Sequence, residues 1–145
     1  MSAAILQPAL VDTDTLHLVA RGTDPGVRAR ARAYLAIHGQ LTISALAAYE
    51  WVAGHVRVGR EHGFARLAEL CEQLPVDAEV SELAGELVGC VEAQGLRSGA
   101  LDPVIAATAI VHDRVLVTRD RRSFEALRGA AQTLGRELEL SDWTG

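Results

Sequence analysis

DPVIAATAIVHDRVLVTRD, the stretch from Asp102 to Asp120, joins two different apolar patterns through a short polar turn. The segment Pro103–Val111 is apolar on nearly every side, which predicts a central helix that is buried all round. Val115–Val117 is a short apolar run bounded by turn signals, as expected of a buried strand. A buried helix followed directly by a buried strand indicates an α/β fold in which helices cover a parallel sheet.

The same alternation of strand and helix extends along the rest of the chain. Asp102 precedes a proline at the first helical position, so we expect its carboxylate to cap the buried helix. Asp24 precedes a proline in the same way, and Ser44 is placed to cap the helix after the second predicted strand. The remaining strands are predicted at Ala9–Val11, Leu41–Ile43 and Leu138–Leu140, with Leu74–Val76 as a further candidate. This order predicts a parallel sheet covered on both faces.

The bulk properties are those of one globular domain. The chain has 145 residues, of which 49% are hydrophobic and 23% charged, so residues 1–145 are predicted to form a single domain. Met1–Val11 lacks the pattern of a signal peptide and no apolar run is long enough for a membrane span, so we expect a cytoplasmic protein with no membrane contact. Cys71 and Cys90 fall on apolar helical stripes, which favours buried thiols over a disulfide or metal pair.

Four acidic residues can be assigned to positions in the predicted strands and helices. Asp12 ends the first strand, Glu50 lies on the helix after the second strand, Asp102 begins the buried helix, and Asp120 follows the strand Val115–Val117. In an open parallel sheet the carboxyl ends of the strands form the ligand crevice. We therefore expect the four carboxylates to meet there.

Carboxylates that converge in a partly buried space repel one another, so a positive charge must neutralise them. An ion pair with arginine would account for any single one of them. For the whole set a divalent cation is the better explanation, and oxygen ligands favour Mg²⁺ or Mn²⁺ over zinc. The five histidines show no metal-ligand spacing and are predicted to be non-ligands.

Basic residues are unevenly distributed along the chain. The net charge is −5 and the chain contains no lysine, which argues against nonspecific binding to polyanions. Five arginines nevertheless crowd one third of the chain beside the acidic positions: Arg97, Arg114, Arg119, Arg121 and Arg122. They form either a solvated surface or a local site for phosphate groups.

Three blocks of the sequence resemble one family of enzymes. LVDTDTL at Leu10–Leu16, ISALAAYEWVAG at Ile43–Gly54 and SGALDPVIAATAIVHDRVLVTRDRRSFEAL at Ser98–Leu127 are similar to the PIN-domain ribonucleases. The closest resemblance is to the VapC-type toxins of bacterial toxin–antitoxin pairs. The third block is the most specific, and the three blocks occur in the family's order and spacing.

The resemblance implies a three-layer α/β/α sandwich and a Mg²⁺-dependent endoribonuclease that uses Mn²⁺ as an alternative. By motif position, Asp12, Glu50 and Asp102 match the three central acidic residues and Asp120 the more variable fourth. Thr118 matches a hydroxyl that positions a carboxylate or water. The expected partners are an RNA substrate, a small antitoxin protein and a second copy of the chain in a homodimer. Phosphates of the RNA would be held at the rim by Arg97, Arg119, Arg121 and Arg122.

Asp14 departs from the family pattern, which often has asparagine there. It either adds a fifth carboxylate to the site or caps the following helix, and the second interpretation is favoured.

Two other functions compete with the nuclease. ALVDTDTL also resembles the opening motif of haloacid dehalogenase-like phosphatases, with Asp12 as the nucleophile and Asp14 as the general acid. That chemistry needs a basic residue, usually lysine, and a later paired acidic motif; the chain has neither, and Glu50 would have no role. The second alternative is a PIN-like module that binds RNA or protein without catalysis. Such a module would have no reason to keep four crowded carboxylates.

Overall fold

All strands of the structure, a computed structural model that describes residues 7–145, run parallel to their hydrogen-bonded neighbours. They are β1 (Ala9–Val11), β2 (Leu41–Ser44), β3 (Cys71–Leu74), β4 (Val115–Val117) and β5 (Leu140–Ser141). Hydrogen bonds join them as one ladder of β1, β4 and β5 and another of β2 and β3, and β1 packs beside β2. Because parallel neighbours need crossover connections, helices separate the strands along the chain.

Seven helices make these connections within the described residues. They are α1 (Thr13–Arg21), α2 (Pro25–His38), α3 (Ala45–Arg57), α4 (Phe64–Ala68), α5 (Ala78–Ala93), α6 (Asp102–Val111) and α7 (Arg121–Thr133). Side-chain caps begin several of them, as the sequence predicts: Asp24 accepts from the backbone N–H of Val27, and Ser44 accepts from that of Leu46.

The helices lie on both faces of the sheet. Leu10 of β1 and Leu116 of β4 point to a core shared with α5, α6 and α7. Ala9, Val11 and Val117 point to the opposite core, shared with α1, α2 and α3. This alternation follows from the two-residue period of strand side chains. The predicted three-layer α/β/α sandwich is confirmed, and α6 is buried along most of its length as its composition predicts.

Two side chains, Tyr34 of α2 and Arg114 before β4, form hydrogen bonds at the amino ends of the strands. The Tyr34 hydroxyl accepts a hydrogen bond of 2.9 Å from the backbone N–H of Ala9. Arg114 Nη1 donates to the Ala9 carbonyl at 3.3 Å and to Thr42 Oγ1 at 3.0 Å, and Arg114 Nη2 lies 3.4 Å from Glu72 Oε1. One guanidinium therefore bridges β1, β2 and β3.

Two strands differ from their predicted positions. The strand expected at Leu74–Val76 ends at Leu74, because Pro75 has no N–H to continue the ladder. The strand expected at Leu138–Leu140 is Leu140–Ser141, which pairs with Leu116 and Val117. Leu138 is buried in the core instead.

Two further predictions about single residues are corrected. Asp102 is the first residue of α6 and not its cap, because Leu101 takes the cap position and no side chain caps this end. Cys71 opens β3 and does not lie on a helix. Cys71 and Cys90 are both unpaired and half-buried, and burial raises the pKa of the Cys71 thiol to about 11.

The prediction for Met1–Val11 extends over residues 1–6, which lie outside the described residues. From residue 7 onward, no helix combines the length and the apolar character that crossing a membrane would require.

Candidate active site

Asp12 lies one residue beyond β1, at the carboxyl edge of the sheet. Its backbone N–H donates to the Val117 carbonyl at 2.9 Å, which ties it to the end of β4. Its carboxylate accepts from the backbone N–H of Thr13 at 2.8 Å and from Thr118 Oγ1 at 3.1 Å. Asp12 is therefore the cap of α1, held in place from two strands.

Thr118 follows β4 and is fully buried. Its hydroxyl donates to Asp12 and accepts from the backbone N–H of Asp120 at 3.1 Å. The Asp120 carboxylate caps α7, accepting from the Ser123 hydroxyl at 2.6 Å and weakly from its N–H at 3.4 Å. One buried hydroxyl therefore sets the positions of two acidic residues at neighbouring strand ends.

Glu50 reaches the same edge from α3. Thr13 Oγ1 donates to Glu50 Oε1 at 2.9 Å, and the Thr13 side chain is itself buried. This contact joins the first turn of α1 to the middle of α3. The sequence analysis missed Thr13; the only signal for it was a hydroxyl directly after Asp12.

Asp102 completes the group from the start of α6. Its carboxylate lies against the backbone of Gly99, which lowers its pKa. A Cβ atom placed on Gly99 would lie 2.7 Å from Asp102 Oδ2, closer than real contacts allow. Gly99 therefore provides the space in which the Asp102 carboxylate lies.

The carboxylates influence one another electrostatically. Burial, together with the charges of Asp14 and Glu50, raises the pKa of Asp12 to about 7, while the hydrogen bonds from Thr13 and Thr118 lower it. Burial also raises the pKa of Asp102 to about 6, with contributions from Glu50, Asp120 and Asp14. Five acidic groups therefore interact electrostatically at the carboxyl edge: Asp12, Asp14, Glu50, Asp102 and Asp120.

Asp14 corrects one prediction. The cap of α1 is Asp12, because β1 ends at Val11 and the helix begins directly at Thr13. Asp14 lies inside the first turn and accepts from the backbone N–H of Thr15 at 2.6 Å. Burial raises its pKa, while Arg119 lowers it and Asp120 raises it. Asp14 therefore adds a fifth negative charge to the cluster.

Among the residues that the structure describes, no arginine forms an ion pair with these carboxylates, although Arg119 lies near enough to lower the pKa of Asp14. Across residues 7–145 the ion pairs are Arg114–Glu72 and Arg128–Glu125, both away from the cluster. Within the same residues no three Asp, Glu, His or Cys side chains form a ready-made metal cage. Mg²⁺ does not require one, since it keeps several waters and is held by one or two carboxylates plus substrate phosphates. The open, all-oxygen donor set with raised pKa values fits such an ion.

All four predicted phosphate-binding arginines are exposed, and three of them follow β4 at the carboxyl edge. Arg119 follows Thr118 and is exposed, and Arg121 and Arg122 are exposed in the first turn of α7. Arg97 is exposed in the loop before α6. Arg114 lies instead at the amino edge, where it bridges three strands.

A family model described as "PIN domain" matches residues 9–130, which span the whole acidic cluster. The chain belongs to the PIN domain family. The predicted family resemblance is thereby confirmed, and the phosphatase interpretation is set aside, since Glu50 is bonded into the cluster in which that chemistry gives it no role. No curated protein sequence matches the chain.

Solved structures of bacterial complexes share this PIN fold. VapBC2 from Rickettsia felis, bound to a DNA fragment from its promoter, has a chain with 20% identity and a TM-score of 0.76, covering 93% of this chain and 98% of that one. DNA-bound VapBC from Salmonella typhimurium gives 21% identity and a TM-score of 0.76, covering 94% and 98%. VapBC-1 from nontypeable Haemophilus influenzae gives 19% identity and a TM-score of 0.74, covering 93% and 97%.

Proposed function

We propose that this PIN domain is a metal-dependent endoribonuclease that acts as the toxin of a toxin–antitoxin pair. The observation that carries the proposal is the carboxyl edge, where Asp12 and Asp102 have raised pKa values and no basic partner. The family match supports a nuclease. The VapBC complexes among the structural neighbours support a toxin role and an antitoxin partner.

The residues that would hold Mg²⁺ or Mn²⁺ are the acidic groups of the cluster: Asp12, Glu50, Asp102 and Asp120. When bound, the metal lowers the pKa of a water and stabilises charge that develops on the scissile phosphate. The chain itself keeps the ligands in position. Thr118 fixes the Asp12 carboxylate and the Asp120 backbone, and Thr13 fixes Glu50.

Binding of RNA requires local positive charge, because the carboxylates and the net charge of −5 repel phosphates. The exposed arginines Arg97, Arg119, Arg121 and Arg122 would bind phosphates on either side of the scissile bond. Their forked guanidinium groups suit bidentate contacts to phosphate. RNA as the substrate and the homodimer are proposed on the family resemblance alone, and action in the cytoplasm is proposed together with the toxin role.

The deciding experiment is cleavage of total cellular RNA by the purified chain, with Mg²⁺, with Mn²⁺ and with EDTA. Asp102→Asn is the test variant, and Asp113→Asn is its matched control. Asp113 is an exposed carboxylate at the amino edge with φ 53°, a conformation that asparagine tolerates. We expect discrete, metal-dependent fragments from the wild type and from Asp113→Asn, and none from Asp102→Asn.

Other outcomes separate the alternatives. Equal cleavage by Asp102→Asn would overturn the assignment of the site. RNA that is bound but left intact by the folded wild type would indicate the non-catalytic binding module. For the toxin role, expression of the wild type should arrest growth of a bacterial host and Asp102→Asn should not; harmless expression of an active nuclease would contradict it.

A further inference from the structure

A second depression lies beside the acidic cluster, between α1 and the end of α3. It has a volume of about 380 Å³, and its lining includes His17, Arg21, His55 and Arg60. No acidic side chain lines it. By contrast, a cleft of about 280 Å³ at the amino edge is lined by Asp113, Glu137 and Glu139 as well as Arg114. The depression between α1 and α3, which we term the stacking cleft, therefore favours anions.

Three aromatic rings are packed together at the stacking cleft. His17 stacks on Trp51 with ring centroids 4.3 Å apart and planes 13° from parallel. His55 stacks on Trp51 at 4.7 Å, and on His17 at 5.5 Å. Trp51 is buried while the two imidazoles line the cleft. Flat rings beside guanidinium groups are the surface on which unpaired nucleotides stack.

Hydrogen bonds hold these rings in place. Trp51 Nε1 donates to the His62 carbonyl at 2.6 Å, and His55 Nδ1 donates to the Trp51 carbonyl at 2.7 Å. Burial lowers the pKa of His17, followed by the charges of His55 and Arg21, while Asp14 raises it. A ring that is already fixed by packing is suited to stacking, since little conformational entropy is lost when a base packs on it.

The stacking cleft lies close to the proposed active site along α1 and α3. Trp51 directly follows Glu50 on α3, and His17 lies four residues after Thr13 on the same face of α1. Four residues of helix span about 6 Å. The Thr13–Glu50 hydrogen bond therefore lies about one helical turn from the His17–Trp51 stack.

We propose that the stacking cleft binds an unpaired nucleotide of the RNA substrate next to the scissile phosphate. The base packs against the imidazoles of His17 and His55, and the nucleotide's phosphate binds Arg21 and Arg60. This inference rests on the proposed ribonuclease function and adds to it a requirement for single-stranded RNA at this subsite.

The test measures binding of a fluorescein-labelled, unstructured single-stranded RNA at fixed low salt, with EDTA, to the full chain carrying Asp102→Asn. Onto this parent we place Arg21→Glu with Arg60→Glu, and as the matched control Arg32→Glu with Arg136→Glu, two exposed arginines elsewhere on the surface. We expect about a tenfold rise in Kd for the cleft variant and a smaller salt dependence, with little change for the control.

A second pair of variants tests the stacking itself. His17→Ala should weaken binding of single-stranded RNA about fivefold or more, while His17→Phe, which keeps a flat ring, should restore most of the affinity. Binding of a duplex RNA should not distinguish the two variants. In the otherwise wild-type chain, Arg21→Glu with Arg60→Glu should raise KM for cleavage and leave kcat nearly unchanged.

The outcomes separate this inference from the ribonuclease function. Unchanged RNA affinity in the cleft variants, together with cleavage by the wild type, overturns the cleft and leaves the nuclease intact. Loss of affinity in a chain that cleaves no RNA supports the cleft and contradicts the nuclease. If the parent binds no RNA, the cleft proposal is wrong, and cleavage by the wild type alone decides the nuclease function. If the cleft variants instead lose binding to a co-produced antitoxin or to a second copy, with RNA affinity unchanged, the cleft is a protein interface and the proposal is wrong.

Discussion

The two edges of the parallel sheet hold charged side chains in opposite situations. At the amino edge, Arg114 pairs with Glu72 and satisfies acceptors on β1 and β2. At the carboxyl edge, Asp12 and Asp102 have raised pKa values and no cationic partner in the described residues. Arg114 and Glu72 therefore neutralise each other within the chain, whereas Asp12 and Asp102 need a cation from outside.

The difference separates a structural role of charged residues at the amino edge from a proposed functional role at the carboxyl edge. A paired charge joins elements and contributes to folding, although a half-exposed pair contributes modestly. Unpaired carboxylates cost folding free energy and persist where that cost serves binding or catalysis. Removing the Arg114 charge at the amino edge should consequently lower the free energy of unfolding, whereas removing a carboxylate at the carboxyl edge should maintain or raise it.

The largest effect is expected from removing a carboxylate at the carboxyl edge. Asp102→Asn should lower the rate of metal-dependent RNA cleavage by about 100- to 1,000-fold, or roughly 3–4 kcal/mol, because it removes a metal ligand. Its free energy of unfolding should stay equal or rise. Glu72→Gln makes the same chemical change at the amino edge and should leave the cleavage rate within about twofold. Equal losses of activity in both variants would abolish the distinction between the edges.

The next largest effect is expected from Arg114→Met. The change removes the only donor to the Thr42 hydroxyl within the described residues and leaves the Ala9 carbonyl with a single long contact, 3.5 Å from the Tyr34 hydroxyl. Because it also removes the bridge between β1 and β2, we expect a loss of roughly 2–3 kcal/mol in the free energy of unfolding. Urea denaturation measures it. Arg128→Met, which breaks the exposed pair with Glu125, should cost under about 0.5 kcal/mol. Similar losses in the two arginine variants would show that the bridge does not join the ladders.

The pH dependence of stability should also separate the edges. The Asp12 pKa is about 7 in the folded chain and 3.8 in the unfolded chain. The folded state therefore gains a proton first as the pH falls, and the metal-free protein should become more stable between about pH 7 and pH 4. Asp102 acts in the same direction.

Asp12→Asn should remove much of this dependence. One pKa unit corresponds to about 1.4 kcal/mol, reduced by water access and relaxation, so we expect the variant to be about 1–2 kcal/mol more stable than the wild type at pH 8 in EDTA. Near pH 5 the two proteins should converge. Adding Mg²⁺ at pH 8 should stabilise the wild type and not the variant. A wild type that loses stability steadily from pH 7 to pH 5 would contradict the raised pKa values.

The smallest effect is expected at Thr13, which positions Glu50 without being an acidic group. Thr13→Val removes the hydrogen bond to Glu50 and should reduce cleavage about fivefold, or roughly 1 kcal/mol. Thr13→Ser keeps the hydroxyl and should recover most of the activity. Thr133→Val, at an exposed hydroxyl that bonds only to its own helix, serves as the control. If the serine variant is as impaired as the valine variant, the hydroxyl is not what positions Glu50.

Several parts of the fold and the site were predictable because their signals are local. The apolar run Pro103–Val111, the proline after Asp24 and the hydroxyl of Ser44 determine helices and caps within one or two turns. The Asp102 cap was predicted wrongly by the same reasoning, because α6 begins at Asp102 itself and its carboxylate lies against the loop residue Gly99. Local rules fail where a contact from outside the helix competes for the same group.

The sequence by itself determined the alternation of strands and helices, the α/β class and the acidic residues placed at element ends. Only the tertiary structure decided which side chains meet: Val11 pairs with Val117, which brings Asp12 to Thr118, and Thr13 reaches Glu50 from another helix. The same is true of Arg114, which lies near Arg119, Arg121 and Arg122 along the sequence but at the opposite edge of the sheet in the fold. The physical reason is that hydrophobic period and capping depend on neighbours along the chain. Convergence of charges depends instead on strand pairing between residues about a hundred positions apart, which no local pattern records.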